Sequence, residues 1–126
     1  MPENPLVSIV GDNDSVGWAV ARVIGGAGFR VLVFPSAEEF IVSGQVDCTA
    51  CLVVDLYLPG MGGLRLQSHL VASGRHIPVV FIFSRADEKA RERGLELGAV
   101  DVLDRPSGDE VLLKKIRAIL KPMGQG

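Results

Sequence analysis

Residues 51–63 read Cys-Leu-Val-Val-Asp-Leu-Tyr-Leu-Pro-Gly-Met-Gly-Gly and form the most informative run of the chain. Four apolar residues lead to one carboxylate, Asp55, and Pro59-Gly60 then marks a turn. A short apolar run that ends in turn residues is typical of a strand buried on both faces of a parallel sheet. Asp55 then lies at the carboxyl end of that strand, which is where ligands bind in open α/β sheets. The alternative is that this carboxylate only caps the following turn.

Apolar runs and helix-capping residues alternate along the rest of the chain. Besides the strand that ends at Asp55, strands are predicted at residues 6–10, 30–34, 78–83 and 100–103. Helices are predicted at residues 16–24, 36–44, 63–73, 87–97 and 107–120. Ser-x-x-Glu capping boxes at Ser36 and Ser107 open the second and the last helix. This alternation predicts a flavodoxin-like (βα)5 fold, a doubly wound parallel α/β sheet with strand order 2-1-3-4-5.

Composition excludes several functional classes. The chain has 126 residues, 48% of them hydrophobic and 22% charged, with a net charge of −2. This length suits one domain with a substantial core. No basic field for nucleic acid is present, no apolar run approaches the roughly 20 residues of a membrane span, and the amino terminus does not read as a signal peptide. We therefore expect a cytoplasmic domain that binds neither membranes nor nucleic acid directly.

Cys48 and Cys51 form a Cys-x-x-Cys motif. A thioredoxin-like pair follows a strand and opens a helix, whereas this pair leads into a strand. His69 and His76 lack the spacing of zinc ligands. The motif is therefore interpreted as one buried thiol and one thiol near a loop.

A second carboxylate, Asp12, follows the first strand. The predicted strand order brings it next to Asp55, because the first and third strands are neighbours and the strand order reverses between them. Two facing carboxylates repel each other, and a hard divalent cation relieves that repulsion. Mg²⁺ suits such a site because it takes one or two carboxylates and keeps water or phosphate oxygens as its other ligands.

Four motifs together carry a resemblance to a known family. They are Val10-Gly-Asp12, Val54-Asp55-x-x-x-Pro59-Gly-Met-x-Gly63, Pro78 at the start of the fourth strand, and Gly98-Ala-Val-Asp-x-x-x-Arg-Pro106. At this spacing they resemble the response-regulator receiver (CheY-like) domain, of the type found in front of helix-turn-helix output domains. The resemblance implies a receiver domain over residues 1–120, and residues 121–126 read as a tail or the start of a linker.

The resemblance implies a role in two-component signal transduction, as a signalling domain and not an enzyme. Asp55 would be the phosphoacceptor that takes a phosphoryl group from a histidine kinase. Mg²⁺ would be held by Asp12, Asp55 and the main-chain carbonyl of Tyr57. Such transfer mainly requires positioning and charge neutralisation, which a metal ion and one further cation provide. The added phosphoryl charge, about −1.5 to −2, would bias a two-state loop.

Two departures from the family pattern concern the metal and the switch. Gly11 stands where the family has the first of two adjacent acids, which predicts weaker Mg²⁺ binding. Phe83 stands where the family has a Thr or Ser, and its ring cannot hydrogen-bond a phosphoryl oxygen. Ser84 follows it and is the candidate substitute if the strand end bulges.

A third departure is Arg105, which replaces the usual Lys. Arginine keeps the positive charge and binds phosphate through two hydrogen bonds, although its side chain with the planar guanidinium group is longer and less mobile. It could instead pair with Asp55 and occupy the site. The resemblance also implies a cis peptide bond at Arg105–Pro106, with an ordinary trans bond as the alternative.

Two hypotheses follow within the family. In the first, Asp55 is phosphorylated, with weakened metal binding and altered switching. In the second, the domain is an atypical receiver that works independently of phosphorylation as a protein-interaction module. A flavodoxin-like nucleotide-binding domain or enzyme is a remoter alternative, because no glycine-rich loop follows the first strand.

The resemblance also implies partners. A histidine kinase would supply the phosphoryl group, and a DNA-binding output domain could follow Gly126. A homodimer would form through the surface of the fourth helix, fifth strand and last helix. The mixed charge of that surface equally suits a solvated helix face.

Overall fold

The alternating pattern folds into a five-stranded parallel sheet with helices on both faces. The computed structural model describes residues 5–11, 16–55, 61–83, 88–96, 98–104 and 109–120. The strands are β1 (Leu6–Val10), β2 (Arg30–Phe34), β3 (Cys51–Asp55), β4 (Val79–Phe83) and β5 (Asp101–Asp104). The helices are α1 (Val16–Gly26), α2 (Ala37–Val42), α3 (Gly63–Ala72), α4 (Glu88–Glu96) and α5 (Asp109–Leu120).

The strand order is β2-β1-β3-β4-β5, and every pairing is parallel. The predicted fold class and strand order are therefore confirmed. β1 and β3 lie inside the sheet and, apart from Ser8 and Asp55, are apolar because both of their faces are covered. β2 forms an edge, and its Arg30 and Leu32 are exposed. All strands end at one edge of the sheet, which we call the carboxyl edge.

Alternate residues of β1, β3 and β4 enter two separate cores, as the strand period of two requires. The first core lies under α2 and α3, and its fully buried members include Val10, Phe40, Leu52, Val54, Leu66 and Phe81. The second core lies under α1 and α5, and its fully buried members include Val7, Ile9, Ile24, Cys51, Val53 and Ile116. Within the described residues, no helix is both long and apolar enough to cross a membrane.

One buried hydroxyl pair joins β1 to the chain that precedes β3. Ser8 of β1 is fully buried, and its Oγ lies 2.7 Å from Oγ1 of Thr49. Thr49 Oγ1 donates to the main-chain oxygen of Gln45 at 2.8 Å, so Ser8 is the donor to Thr49. Both hydroxyl groups are therefore satisfied without water.

Most element boundaries agree with the prediction to within two residues, and one short element was not predicted. Ser36 caps α2 as expected, because its Oγ accepts a hydrogen bond from the Glu39 N–H at 3.1 Å. However, α2 ends at Val42 and not near Gly44. A short 3-10 helix, Val46–Cys48, follows it and was not predicted. β5 runs one residue later than expected, and α5 is described from Asp109, so the box at Ser107 lies outside the described residues.

The two thiols are free, and the prediction for them is confirmed. Cys48 is exposed on the 3-10 helix, whereas Cys51 is buried in the second core. Burial raises the pKa of the Cys51 thiol to about 12, because the apolar surroundings disfavour the thiolate.

We expect a thiol reagent such as DTNB at pH 8 to modify one thiol per native chain and two after denaturation. The thiolate is the reactive form, and the fold keeps Cys51 protonated at this pH. Native Cys48→Ser should react very slowly, and native Cys51→Ser should react as the parent chain does. Rapid modification of both thiols in the native chain would contradict the burial of Cys51.

Candidate functional site

Asp55 is the carboxylate that β3 carries to the carboxyl edge. β3 lies between β1 and β4, with Val54 paired to Val10 on one side and to Phe81 on the other. The four residues before Asp55 are fully buried, whereas Asp55 itself is half-buried. Because apolar pairing on both sides holds the strand, its last residue is presented to solvent from a rigid support.

Gly11 lies beside Asp55 at the same edge. It follows Val10, which pairs with Val54, and it is therefore level with Asp55. Gly11 is buried, and its N–H donates to the main-chain oxygen of Phe34 at 3.0 Å. At position 11, the chain that follows β1 therefore brings only main-chain atoms to the site.

α3 begins in close contact with the end of β3. A Cβ atom added at Gly63 would lie 2.9 Å from Cε1 of Phe81, 3.1 Å from the main-chain oxygen of Asp55 and 3.2 Å from Cγ1 of Val54. Contacts this short are tighter than a side chain tolerates, so glycine lets the helix start directly against the strand. The sequence motif contained this glycine, and the structure gives its physical reason.

Glu38 is a residue that sequence reasoning did not connect to this edge. Its Oε2 accepts a hydrogen bond of 3.1 Å from the main-chain N–H of Met61, 23 residues away. Met61 and Leu64 also pack against the first core. The signal in the sequence was only the capping box of α2, which does not indicate a contact with the chain after β3.

The structure describes two of the predicted site residues, Asp55 and Phe83. Phe83 is the last residue of β4 and pairs with Asp104 of β5, while Asp55 pairs with Ile82. Both therefore reach the carboxyl edge. The other predicted site residues lie outside the described residues; they are Asp12, Tyr57, Ser84 and Arg105. The predicted cis bond at Arg105–Pro106 also lies outside them.

The donor chemistry at Asp55 suits a hard cation. Its carboxylate oxygens are the ligand type that Mg²⁺ prefers. Among the described residues, no group of three His, Cys, Asp or Glu side chains could hold a metal ion. Two of the three predicted ligands, Asp12 and Tyr57, are not among those residues.

An exposed ion pair lies at the opposite edge of the sheet. Arg75 Nε is 2.8 Å from Asp47 Oδ1, and these residues precede β4 and β3 respectively. The hydrogen bond from Arg75, reinforced by its charge, lowers the pKa of Asp47, and the same contact raises the pKa of Arg75. The pair joins the 3-10 helix to the loop that follows α3, away from Asp55, and takes no part in the candidate site.

Comparison with known proteins gives close relatives over nearly the whole chain. Residues 7–117 match the model of the response regulator receiver domain. Nodulation protein W of Bradyrhizobium diazoefficiens is 36% identical over 113 residues, which cover 90% of this chain and 50% of that protein. Transcriptional regulatory protein FixJ of Azorhizobium caulinodans is 32% identical over 120 residues, which cover 95% and 57%. The chain therefore spans about half the length of these curated relatives.

Solved structures agree with this result. The crystal structure of FixJ-N superposes with a TM-score of 0.83 at 29% identity, covering 99% of this chain and all of that one. The response regulator StyR superposes with a TM-score of 0.84 at 34% identity, covering 94% of this chain and 60% of that one. With the sheet order and the carboxylate at the end of β3, these matches show that the chain belongs to the response regulator receiver domain family, a family of two-component signalling domains and not of enzymes.

Proposed function

We propose that Asp55 is the phosphoacceptor of this receiver domain and that a histidine kinase is its donor. The observation that carries the proposal is the position of Asp55, a half-buried carboxylate at the carboxyl end of a central strand. Ligands bind at this edge in doubly wound sheets, beside the point where the strand order reverses. A carboxylate there is rigidly supported and open to a donor.

The transfer makes one bond and breaks one bond. An oxygen of the Asp55 carboxylate attacks the phosphorus of a phosphohistidine on the kinase. An O–P bond forms while the N–P bond breaks, and the electron pair of that bond stays on the imidazole nitrogen. The product is an acyl phosphate on Asp55 with about −1.5 to −2 charge, which is the local change that a switch can read.

A metal site is part of the proposal. Asp12, Asp55 and the main-chain carbonyl of Tyr57 would hold Mg²⁺, which supplies charge neutralisation for the phosphoryl oxygens. Gly11 brings no carboxylate to this edge, although it lies level with Asp55. We therefore expect weaker Mg²⁺ binding than in receivers with two adjacent acids at the end of the first strand.

The residues that would respond to the phosphoryl group are also proposed to differ from those usual in the family. Arg105 would provide the cation that the family usually takes from a lysine. Phe83 ends β4 but its side chain carries no hydroxyl group for the phosphoryl oxygen. Ser84 is the proposed substitute.

The rest of the protein is inferred from the relatives. Residues 1–120 are proposed as the receiver domain and residues 121–126 as a tail or the start of a linker, which a DNA-binding output domain could follow. A dimer surface is proposed on α4, β5 and α5, where Leu95 and Val111 are 41% and 40% exposed. Their apolar area would favour association through this surface.

Incubation with acetyl phosphate and Mg²⁺ tests the phosphoacceptor. We expect one phosphoryl group per chain, located at Asp55 by tandem mass spectrometry, and a loss of the product when EDTA removes the metal. The dependence of the yield on Mg²⁺ concentration would measure the weakened metal site. The absence of an adduct at saturating donor would contradict the proposal and would favour a receiver that works without phosphorylation.

A further inference from the structure

The chain from Asp55 to α3 is held at both of its ends. At one end, β3 is paired to β1 and to β4 up to the site. At the other end, Gly63 rests against the main-chain oxygen of Asp55 and the ring of Phe81. Between these ends, Met61 has one further anchor, the hydrogen bond from its N–H to Oε2 of Glu38.

Glu38 comes from a rigid neighbouring element. It is on the first turn of α2, next to Ala37 and close to Phe40, both fully buried. The ring of Phe40 makes an edge-to-face contact with Phe34 at the end of β2, with centroids 5.3 Å apart. The cap at Ser36 fixes the start of the helix. The carboxylate therefore reaches Met61 from a well-supported helix end.

Glu38 also has a simpler role, which Glu39 shares. Both are exposed acids in the first turn of α2, where negative charge stabilises the helix dipole. Only for Glu38 does the structure give a side-chain hydrogen bond that reaches the chain after β3. A comparison of the two residues thus separates the contact with Met61 from the effect on the helix.

We infer that Glu38 is a positioning residue for the phosphoryl-transfer site, because its carboxylate holds Met61, two residues before the glycine that starts α3 against the end of β3. This inference rests on the proposed function. Tyr57, the proposed main-chain ligand of Mg²⁺, stands four residues before Met61 in the sequence. A hydrogen bond from an amide to a carboxylate is charge-assisted, so it is stronger than a neutral one. Holding Met61 in place before the metal and the donor bind lowers the ordering cost that their binding must meet.

The test compares Glu38→Ala, Glu38→Gln and Glu39→Ala with the parent chain. Acetyl phosphate is the donor, and phosphorylation is followed on Phos-tag gels at a series of Mg²⁺ concentrations. We expect Glu38→Ala to raise the Mg²⁺ concentration for half-maximal rate by about fivefold, the order of one lost hydrogen bond. Glu38→Gln keeps an acceptor oxygen and should change it by less than about twofold. Glu39→Ala should leave it unchanged.

Two further measurements make the result specific. Thermal denaturation should give Glu38→Ala a somewhat lower midpoint than Glu39→Ala, because both lose one acid from the same helix turn but only Glu38→Ala also loses the hydrogen bond to Met61. Amide exchange of Met61, measured by NMR without donor or metal, should be about threefold faster or more in Glu38→Ala only. If Glu38 only stabilised the fold, Glu38→Ala would lower the denaturation midpoint without changing the Mg²⁺ concentration for half-maximal rate.

The outcomes distinguish this inference from the proposed function. If the parent chain forms an adduct at Asp55 but Glu38→Ala and Glu39→Ala show the same Mg²⁺ dependence, the positioning role is overturned and the phosphoacceptor stands. If the parent chain forms no adduct, the phosphoacceptor role of Asp55 and the positioning role of Glu38 are both overturned. Equal Met61 exchange rates in the parent chain and Glu38→Ala would also overturn the anchor.

Discussion

Asp55→Asn is expected to abolish phosphoryl uptake from acetyl phosphate while the chain stays folded. The amide has nearly the shape of the carboxylate but carries no charge and is not a nucleophile for phosphorus. The residue lies at the half-exposed end of β3 and outside both cores, so little packing is lost. Intact-mass spectrometry and Phos-tag gels would measure the uptake, and circular dichroism would check the fold.

Asp47→Asn is the matched control for this variant. It makes the same chemical change at an aspartate that pairs with Arg75 at the opposite edge of the sheet. Its phosphoryl uptake should equal that of the parent chain. Uptake by Asp55→Asn at the parental level would show that another carboxylate is the acceptor, and the proposed role of Asp55 would have to be given up.

Gly63→Ala is expected to lower the free energy of unfolding by about 1–3 kcal/mol, the usual cost of overpacking a core. The added Cβ would be 2.9 Å from the ring of Phe81 and 3.1 Å from the main-chain oxygen of Asp55. The Phe81 ring is fully buried and the oxygen belongs to a paired strand, so neither neighbour can move freely. The loss outweighs the gain of about 0.4–1 kcal/mol that Gly→Ala brings through the unfolded state. Urea unfolding would measure it.

Gly26→Ala gives the corresponding control. Gly26 is also helical, and a Cβ atom added there would meet nothing within 4 Å. This variant should unfold at the same urea concentration as the parent chain or a slightly higher one. Equal urea midpoints for the two variants would mean that α3 can move away from β3 at little cost. The close approach at Gly63 would then contribute nothing measurable to the free energy of unfolding.

Much of the fold could be predicted because burial imposes a simple pattern on the strands. The apolar run before Asp55 identified a doubly covered strand, and the alternation of strands and helices identified the sheet order. The end of α2 and the 3-10 helix at Val46–Cys48 could not be located, because they depend on contacts distant in sequence. Arg75 binds Asp47 across 28 residues, and no local propensity indicates such a pair.

The site was only partly accessible from sequence for the same reason. The motif contained both Asp55 and Gly63, since they lie within one short run, but the packing reason for the glycine came only from the structure. Glu38 could not be connected to Met61 before the packing of α2 was known, because the two residues come from different crossovers. The proposed roles of Asp12, Tyr57, Phe83, Ser84 and Arg105 remain predictions.

The buried hydroxyl pair of Ser8 and Thr49 has a consequence for how such sequences diverge. Each hydroxyl satisfies its partner in a buried position, so losing one of them leaves the other with an incomplete set of hydrogen bonds. Exchange of both residues for apolar ones of similar shape carries little penalty by comparison. Homologous chains should therefore keep or abandon these two positions together, and positions 8 and 49 should co-vary across an alignment.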